Sequence, residues 1–185
     1  AVCQNRIEMM MNDAAITEHQ LMELAKMQQT ISELIRLNKT LLFLSKIENN
    51  QYIEHTEVCV NTKLHHQMEM LAEVYESKDI PLNLYEKSQW TLYANDELIA
   101  SLVSNLLRNA YIHSLPHSTI DIYIKEGALS IANTSDGETL DAERLFDRFY
   151  RGSHGRKHSN GLGLSIVKAI CEASHLKVSY TFEQG

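Results

Sequence analysis

The sequence predicts an α+β sandwich, with helices laid on one face of a mixed sheet, preceded by a long antiparallel helical hairpin. Three observations carry that prediction. Residues 17–47 run without Gly or Pro and are apolar over much of their girth. Residues 96–113 (DELIASLVSNLLRNAYIH) repeat apolar side chains at helical spacing, whereas Ile120, Ile122 and Ile124 alternate with Asp121, Tyr123 and Lys125 at strand spacing. Strands and helices then follow one another irregularly, with hairpin turns among them.

In chain order, residues 1–11 read as the tail of a helix, with Val2, Ile7, Met10 and Met11 apolar, and Asn12-Asp13 break it. Thr17 and Gln20 form a capping box that starts the next helix. That helix reaches about Ile47, roughly 45 Å at the α-helical rise. Leu24, Met27, Ile31, Leu34, Leu41 and Ile47 form its seam, and Leu21, Ile35, Leu37, Leu42 and Leu44 widen it. A stripe so wide wants three neighbours, which a hairpin dimerising into a four-helix bundle supplies. Asn38 in the seam is either a register-fixing polar residue or a solvent-facing one.

Residues 49–57 are polar and read as a linker between a partial hairpin (1–48) and a second domain (58–185). There, Val58 and Val60 suggest a short strand, and Thr62 to Ser77 a helix. Ile80–Tyr85 and Gln89–Tyr93 read as a strand hairpin. Asn95-Asp96 cap the 96–113 helix, and Pro116 closes it. Glu126-Gly127 turns the 120–125 strand into a hairpin with Leu129–Ile131. A polar loop (NTSDGE), a short helix over Ala142–Phe146 and a glycine-bearing loop to Asn160 follow. A helix over Gly163–Ala173 and a strand from Lys177 complete the chain.

Composition narrows the function. Hydrophobic content of 44% with seven Gly and two Pro describes an ordered chain. A net charge of -7 argues against nucleic acid as a partner. Cys3, Cys59 and Cys171 are odd in number and far apart, which fits a reducing compartment and neither a disulfide framework nor a zinc spacing. No apolar run approaches the ~18 residues of a membrane span, and no signal peptide is visible. The Ala-Val-Cys start and the Glu-Gln-Gly end suggest a piece of a longer protein.

Opposite the apolar stripe of 96–113, Ser101, Asn105, Asn109 and His113 recur every fourth residue and form one row. Asn is a poor helix-interior residue, and a solvated face is usually filled with Lys and Glu, which this row lacks. Pattern alone leaves two readings open: a solvated face, or two carboxamides serving as ligands for something polar such as a metal-bound phosphate. Gly161-Leu162-Gly163-Leu164 opens a helix whose free N–H groups and dipole favour an anion. From Arg148 to Cys171 there are Arg148, Arg151, Arg156, Lys157 and Lys168 but no Asp or Glu, in a chain acidic overall. A basic loop leading to a glycine-started helix suits a polyphosphate. Asn133-Thr-Ser-Asp136-Gly137 could read a flat base or be an ordinary Asx-type loop. Phe146 and Phe149 read as anchors of a loop on the core, while Tyr150 could stack on a cofactor. The nine histidines offer no zinc set.

Four separated segments, in order, resemble the catalytic region of bacterial two-component sensor histidine kinases. They are NLLRNAYIHS (105–114), NTSDG (133–137), LFDRFYR (145–151) and GLGLSIVK (161–168), and the helix ending in LLFLSKIEN resembles the second helix of that family's dimerisation hairpin. The resemblance implies the ATP-binding sandwich shared by histidine kinases, gyrase and the heat-shock chaperones (the Bergerat fold). It implies Asn109 as a Mg²⁺ ligand with Asn105 beside it, and Gly161, Leu162, Gly163 and Leu164 at the phosphates. It implies Asn133 and Gly137 at the base, His113 and Tyr150 in the nucleotide site, and Arg148 and Arg151 compensating phosphate charge. The segment 148–160 would be a lid. The implied chemistry is transfer of the ATP γ-phosphoryl group to a His on the dimerisation helix, releasing ADP, and then to an Asp of a response-regulator receiver domain. The implied setting is a homodimer joined through the hairpin, the cytoplasmic portion of an inner-membrane sensor whose membrane segments lie outside this chain.

Several departures accompany the resemblance. Asn133 stands where the family usually has Asp, Ser135 where it has Gly, and Ile112 where it has Lys or Arg. An uncharged acceptor at 133 forms a hydrogen bond roughly half as strong as a charge-assisted one. The phosphoacceptor motif, a His followed by an acidic residue and Thr-Pro-Leu, is absent from these residues, so catalytic His is expected outside the chain. Two alternatives stand beside the kinase: a degenerate interaction module that dimerises without using ATP, and a Ser/Thr kinase of the anti-sigma type.

Overall fold

The computed structural model describes residues 2–13, 15–135, 140–150 and 161–183. The chain divides into two compact units, Ala1–Ser45 and Lys46–Gly185. The first holds helix α1 (Val2–Met11) and most of α2 (Glu18–Glu48). The expected capping box starts α2: the Gln20 amide donates to Thr17 Oγ1 at 3.3 Å, and the Thr17 amide donates to Gln20 Oε1 at 3.0 Å. Ile7 and Leu24 are buried, whereas Met22, Met27, Leu34 and Leu42 are exposed, as is Asn38.

The second unit contains β1 (Thr56–Cys59), α3 (Val60–Val74), a single 3-10 turn (Glu76–Lys78), β2 (Leu82–Glu86), β3 (Thr91–Ala94), α4 (Asp96–His113), β4 (Ile120–Lys125), β5 (Ala128–Asn133) and α5 (Gly163–Ala173). The 96–113 helix has the expected bounds because Asn95 accepts from the Leu98 amide at 3.1 Å, and its stripe of Leu98, Ile99, Leu102, Val103, Leu107 and Ala110 is buried. α4 is the central element and packs against α3, α5 and β5. Ile120, Ile122 and Ile124 are buried and Tyr123 and Lys125 exposed, which is the predicted period-2 alternation.

Two antiparallel strands were expected at 80–93, and here the structure corrects the sequence reading. β2 pairs not with β3 but in parallel with β4, Leu82 opposite Ile120, while β3 pairs antiparallel with β1, Thr56 opposite Ala94. The β4–β5 hairpin is as expected. The parallel pair needs a crossover, and the crossover carries β3 and α4. The reason lies at the start of α3. The Asn61 carboxamide donates to Glu86 Oε1 (2.7 Å) and the Ser88 carbonyl (3.2 Å) and accepts from the Trp90 amide (2.9 Å). The Val60 amide donates to the Trp90 carbonyl at 2.9 Å. These bonds turn the 86–90 corner away from β2 and deliver β3 to β1.

Two further expectations fail locally. Ala142–Phe146 forms turns, not a helix: Asp141 gathers the amides of Glu143, Arg144 and Leu145, and the bonding does not propagate. Residues 177–183 form no ladder among the described residues, although Val178, Tyr180 and Phe182 are half-buried and alternate with exposed neighbours as a strand would. A ladder needs a partner as well as a pattern.

Candidate functional site

The Asn row of α4 lies half-buried beside the start of α5. Asn105 Nδ2 donates to the Ser101 carbonyl (2.8 Å) and to Ser101 Oγ (3.3 Å), which commits its donors to the preceding turn and leaves Oδ1 as an acceptor on the side of α5. That Oδ1 lies 3.6 Å from where a β-carbon on Gly163 would stand. The carboxamide and the glycine, far apart in sequence, are therefore neighbours. Asn109, one turn further along α4, is half-buried and makes no side-chain hydrogen bond among the described residues. His113 is in the last turn of the same helix.

Gly161 and Leu162 build the approach to α5. Gly161 has φ +63°, and a β-carbon there would meet the carbonyl carbon of Phe149 and the oxygen of Tyr150 at 2.8 Å. The Phe149 amide donates to the Gly161 carbonyl at 2.8 Å. Leu162 is buried and anchors the turn, and Ser165 Oγ donates back to its carbonyl at 2.9 Å. Gly163 and Leu164 are half-buried in the first turn of α5, where amides lack intrahelical partners and attract anions.

At the far end of α4, the Leu115 amide donates to the Thr134 carbonyl at 3.0 Å and joins the helix end to the residue after Asn133. Asn133 closes β5 opposite Ile120. The row thus runs from Asn105 and Gly163 at one end to His113 and Asn133 at the other, about 12 Å of helix.

Not every expected residue joins this set. The Arg148 guanidinium is ion-paired with Glu48. The Tyr150 ring lies under the Arg144 guanidinium, 5.3 Å from its centroid. Gly137 and Arg151 fall outside the described residues, as do Arg156 and Lys157. Sequence reasoning missed Glu48, although a carboxylate in the last residue of a helix, where the dipole disfavours it, was a readable signal. Ser101 was seen as a member of the row but not as the partner that orients Asn105.

Other titratable groups lie away from the row. The hydrogen bond from Asn61 holds the Glu86 carboxyl below the usual glutamate range, against a smaller opposing effect of burial. The Cys59 thiol is lowered, chiefly by Thr62. Burial pushes Cys171 up to about 11. No group of three or more His, Cys, Asp or Glu that could hold a metal exists among the described residues. A Mg²⁺ ion at this site would have to take carboxamide oxygen, phosphate and water ligands, which hard oxygen-seeking Mg²⁺ accepts.

A mixed sheet packed under helices, with a glycine-opened helix set against a row of carboxamides, defines an ATPase-type α/β sandwich. Residues 94–185 match the model of the histidine kinase-, DNA gyrase B-, and HSP90-like ATPases, and this region is a domain of that family. It is similar to the heme sensor protein HssS of Staphylococcus saprophyticus (26% identical, over 85% of this chain and 35% of that protein). It is also similar to the sensor protein CzcS of Cupriavidus metallidurans (30%, over 75% and 31%) and the sensor histidine kinase HprS of Escherichia coli (29%, over 95% and 41%). The chain spans less than half the length of these curated relatives. Among solved structures it shares its fold with full-length ShkA in complex with AMPPNP (TM-score 0.67, 19% identical, 93% of this chain and 38% of that one). Acinetobacter baumannii histidine kinase AdeS gives TM-score 0.59 at 19% identity, over 93% of this chain and 82% of that one. No helix among the described residues is long and apolar enough to cross a membrane.

Proposed function

We propose that this chain is the nucleotide-binding catalytic part of a sensor histidine kinase. It binds ATP with Mg²⁺ along the polar row of α4, phosphates toward Gly161–Leu164 and base toward Asn133. The observation that carries this reading is the 3.6 Å approach of Asn105 Oδ1 to the Gly163 position. It sets a fixed oxygen acceptor against the first turn of α5, the two kinds of group a metal-bound polyphosphate requires.

The residues divide the work by chemistry. Asn105 and Asn109 offer carboxamide oxygens, and Ser101, by binding Nδ2, keeps the Asn105 oxygen toward the start of α5. Backbone amides at the start of α5 stabilise phosphate oxygens without any side-chain cation. Mg²⁺, when bound, neutralises phosphate charge. In such transfer the protein's contribution is mostly positioning and charge compensation. Asn133 accepts a hydrogen bond from the base without charge assistance.

In the longer protein, the γ-phosphoryl group would pass to a His on the dimerisation helix, leaving ADP, and then to an Asp of a receiver domain. The exposed Met22, Met27, Leu34 and Leu42 of α2 favour a second copy as the hairpin's partner. The setting we propose is the cytoplasmic side of a membrane sensor. A longer chain containing the acceptor should form acid-labile phosphohistidine; acid-stable phosphoserine on a partner instead would contradict the assignment.

A second reading, an interaction module that does not use ATP, is favoured by Asn133, Ser135 and Ile112, each a departure from the family pattern. Titration with ATP, with and without Mg²⁺, separates the two: saturable Mg²⁺-dependent binding supports the kinase, and none at millimolar ATP supports the module.

A further inference from the structure

Glu48 is the last residue of α2 and lies in the same compact unit as the site. A carboxylate is poorly placed there, because the end of a helix carries the negative pole of its dipole. Its position is explained by its partner, the Arg148 guanidinium. Arg148 immediately precedes Phe149, and Phe149 touches the glycine turn directly. Its amide donates to the Gly161 carbonyl at 2.8 Å, and its Cα would lie 2.9 Å from a β-carbon on Gly161.

Phe149 also has φ +63° although it is not glycine. A bulky residue persists in that left-handed region only where its surroundings over-determine it. The Phe149 side chain is 55% exposed, so core packing is not what fixes this conformation in full. Among the described residues, two contacts flank this backbone: the Phe149 amide bond to the Gly161 carbonyl and the Arg148–Glu48 pair. The Tyr150 amide adds only a 3.3 Å bond to the Asp147 carbonyl.

We propose that Glu48 is a positioning residue for the nucleotide site: through Arg148 it clamps residues 148–150 onto Gly161 and so fixes the backbone from which α5 starts. The consequence for nucleotide rests on the reading of Gly161–Gly163 as phosphate-facing; the clamp does not. Both side chains are about half exposed, 45% for Arg148 and 51% for Glu48. An exposed pair of this kind works at the few-fold level and weakens with salt.

The test is amide hydrogen exchange on the ligand-free 185-residue chain. Glu48→Gln and Arg148→Gln should each speed exchange of the Phe149 amide by about two- to fivefold, the range an exposed ion pair supports. The Leu107 amide in the core of α4 should keep its rate, and the exchanged pair Glu48→Arg/Arg148→Glu should restore protection at Phe149. Unchanged exchange at Phe149, or equal acceleration at Leu107, would overturn the clamp. A second arm compares ATP with adenosine: Glu48→Gln should weaken ATP a few-fold and leave adenosine unchanged, whereas equal weakening of both would assign the pair to general stability and overturn the positioning role. A wild type that binds neither ATP nor adenosine, with the exchange pattern intact, would sink the ATP reading and leave the clamp standing.

Discussion

At Gly161 a β-carbon would stand 2.8 Å from backbone atoms of Phe149 and Tyr150, at a φ of +63°. Gly161→Ala should therefore destabilise the domain by roughly 1–3 kcal/mol, read as a lower thermal midpoint. Gly163 differs, because its added β-carbon would meet only Asn105 Oδ1, at an ordinary 3.6 Å. There Ala fits the helix, and the thermal midpoint should hold or rise, by about 0.4–1 kcal/mol of stability. Yet Gly163→Ala should weaken ATP binding, since the methyl group occupies the gap facing the carboxamide. A variant that is as stable as wild type and binds ATP equally well would show that no phosphate comes close there. Cys171 is a separate case: burial raises its thiol to about 11, and the thiolate is the reactive form. Iodoacetamide at neutral pH should label exposed Cys3 and spare Cys171 until the chain unfolds.

Among the elements, the corner at 86–90 hangs on one side chain. Asn61→Ala removes its three hydrogen bonds and leaves the partly buried Trp90 amide unpaired, a loss of roughly 1–3 kcal/mol in urea unfolding. An unchanged midpoint would mean that the strand pairs hold the corner alone. Glu86 adds a pH dependence. Its folded carboxyl ionises below the usual glutamate range, chiefly through Asn61, so its stabilisation is present above the unfolded value and lost as pH falls through the folded one. Glu86→Gln should flatten the acid side of the stability profile.

The same elements show what was legible in the sequence. α4 could be read to its ends because a cap, a 3.6-residue stripe and a closing proline all agree locally, and the Asn row came with it. The pairing of β2 with β4 could not, since proximity along the chain favours a β2–β3 hairpin and the deciding contacts come from Asn61. Residues 177–183 alternate in exposure as their sequence says, but a ladder depends on a neighbouring strand that pattern does not specify. The approach of Asn105 to Gly163 was expected from the family resemblance, not from spacing. The Arg148–Glu48 pair was missed because the basic run invited a phosphate partner before a protein one.

For the molecule as a whole, the acidic charge and the exposed apolar positions of α2 point in different directions. Net charge of -7 keeps copies apart, while Leu34 and Leu42, 59% and 58% exposed, favour association. If a second copy covers them, Leu34→Asp/Leu42→Asp should lower the sedimentation coefficient from dimer to monomer without altering ATP affinity. Identical sedimentation would place the dimer contact elsewhere or exclude it. The central claim, that α4 and α5 jointly hold a magnesium–triphosphate, is tested most directly by calorimetric titration of ATP. Wild type should bind saturably with Mg²⁺ present and more weakly without it. Asn109→Ala should lose at least about tenfold in affinity, as removal of a ligand to a charged group implies, with its thermal midpoint unchanged. Equal affinity in wild type and Asn109→Ala, or no saturable binding in either, would contradict the account.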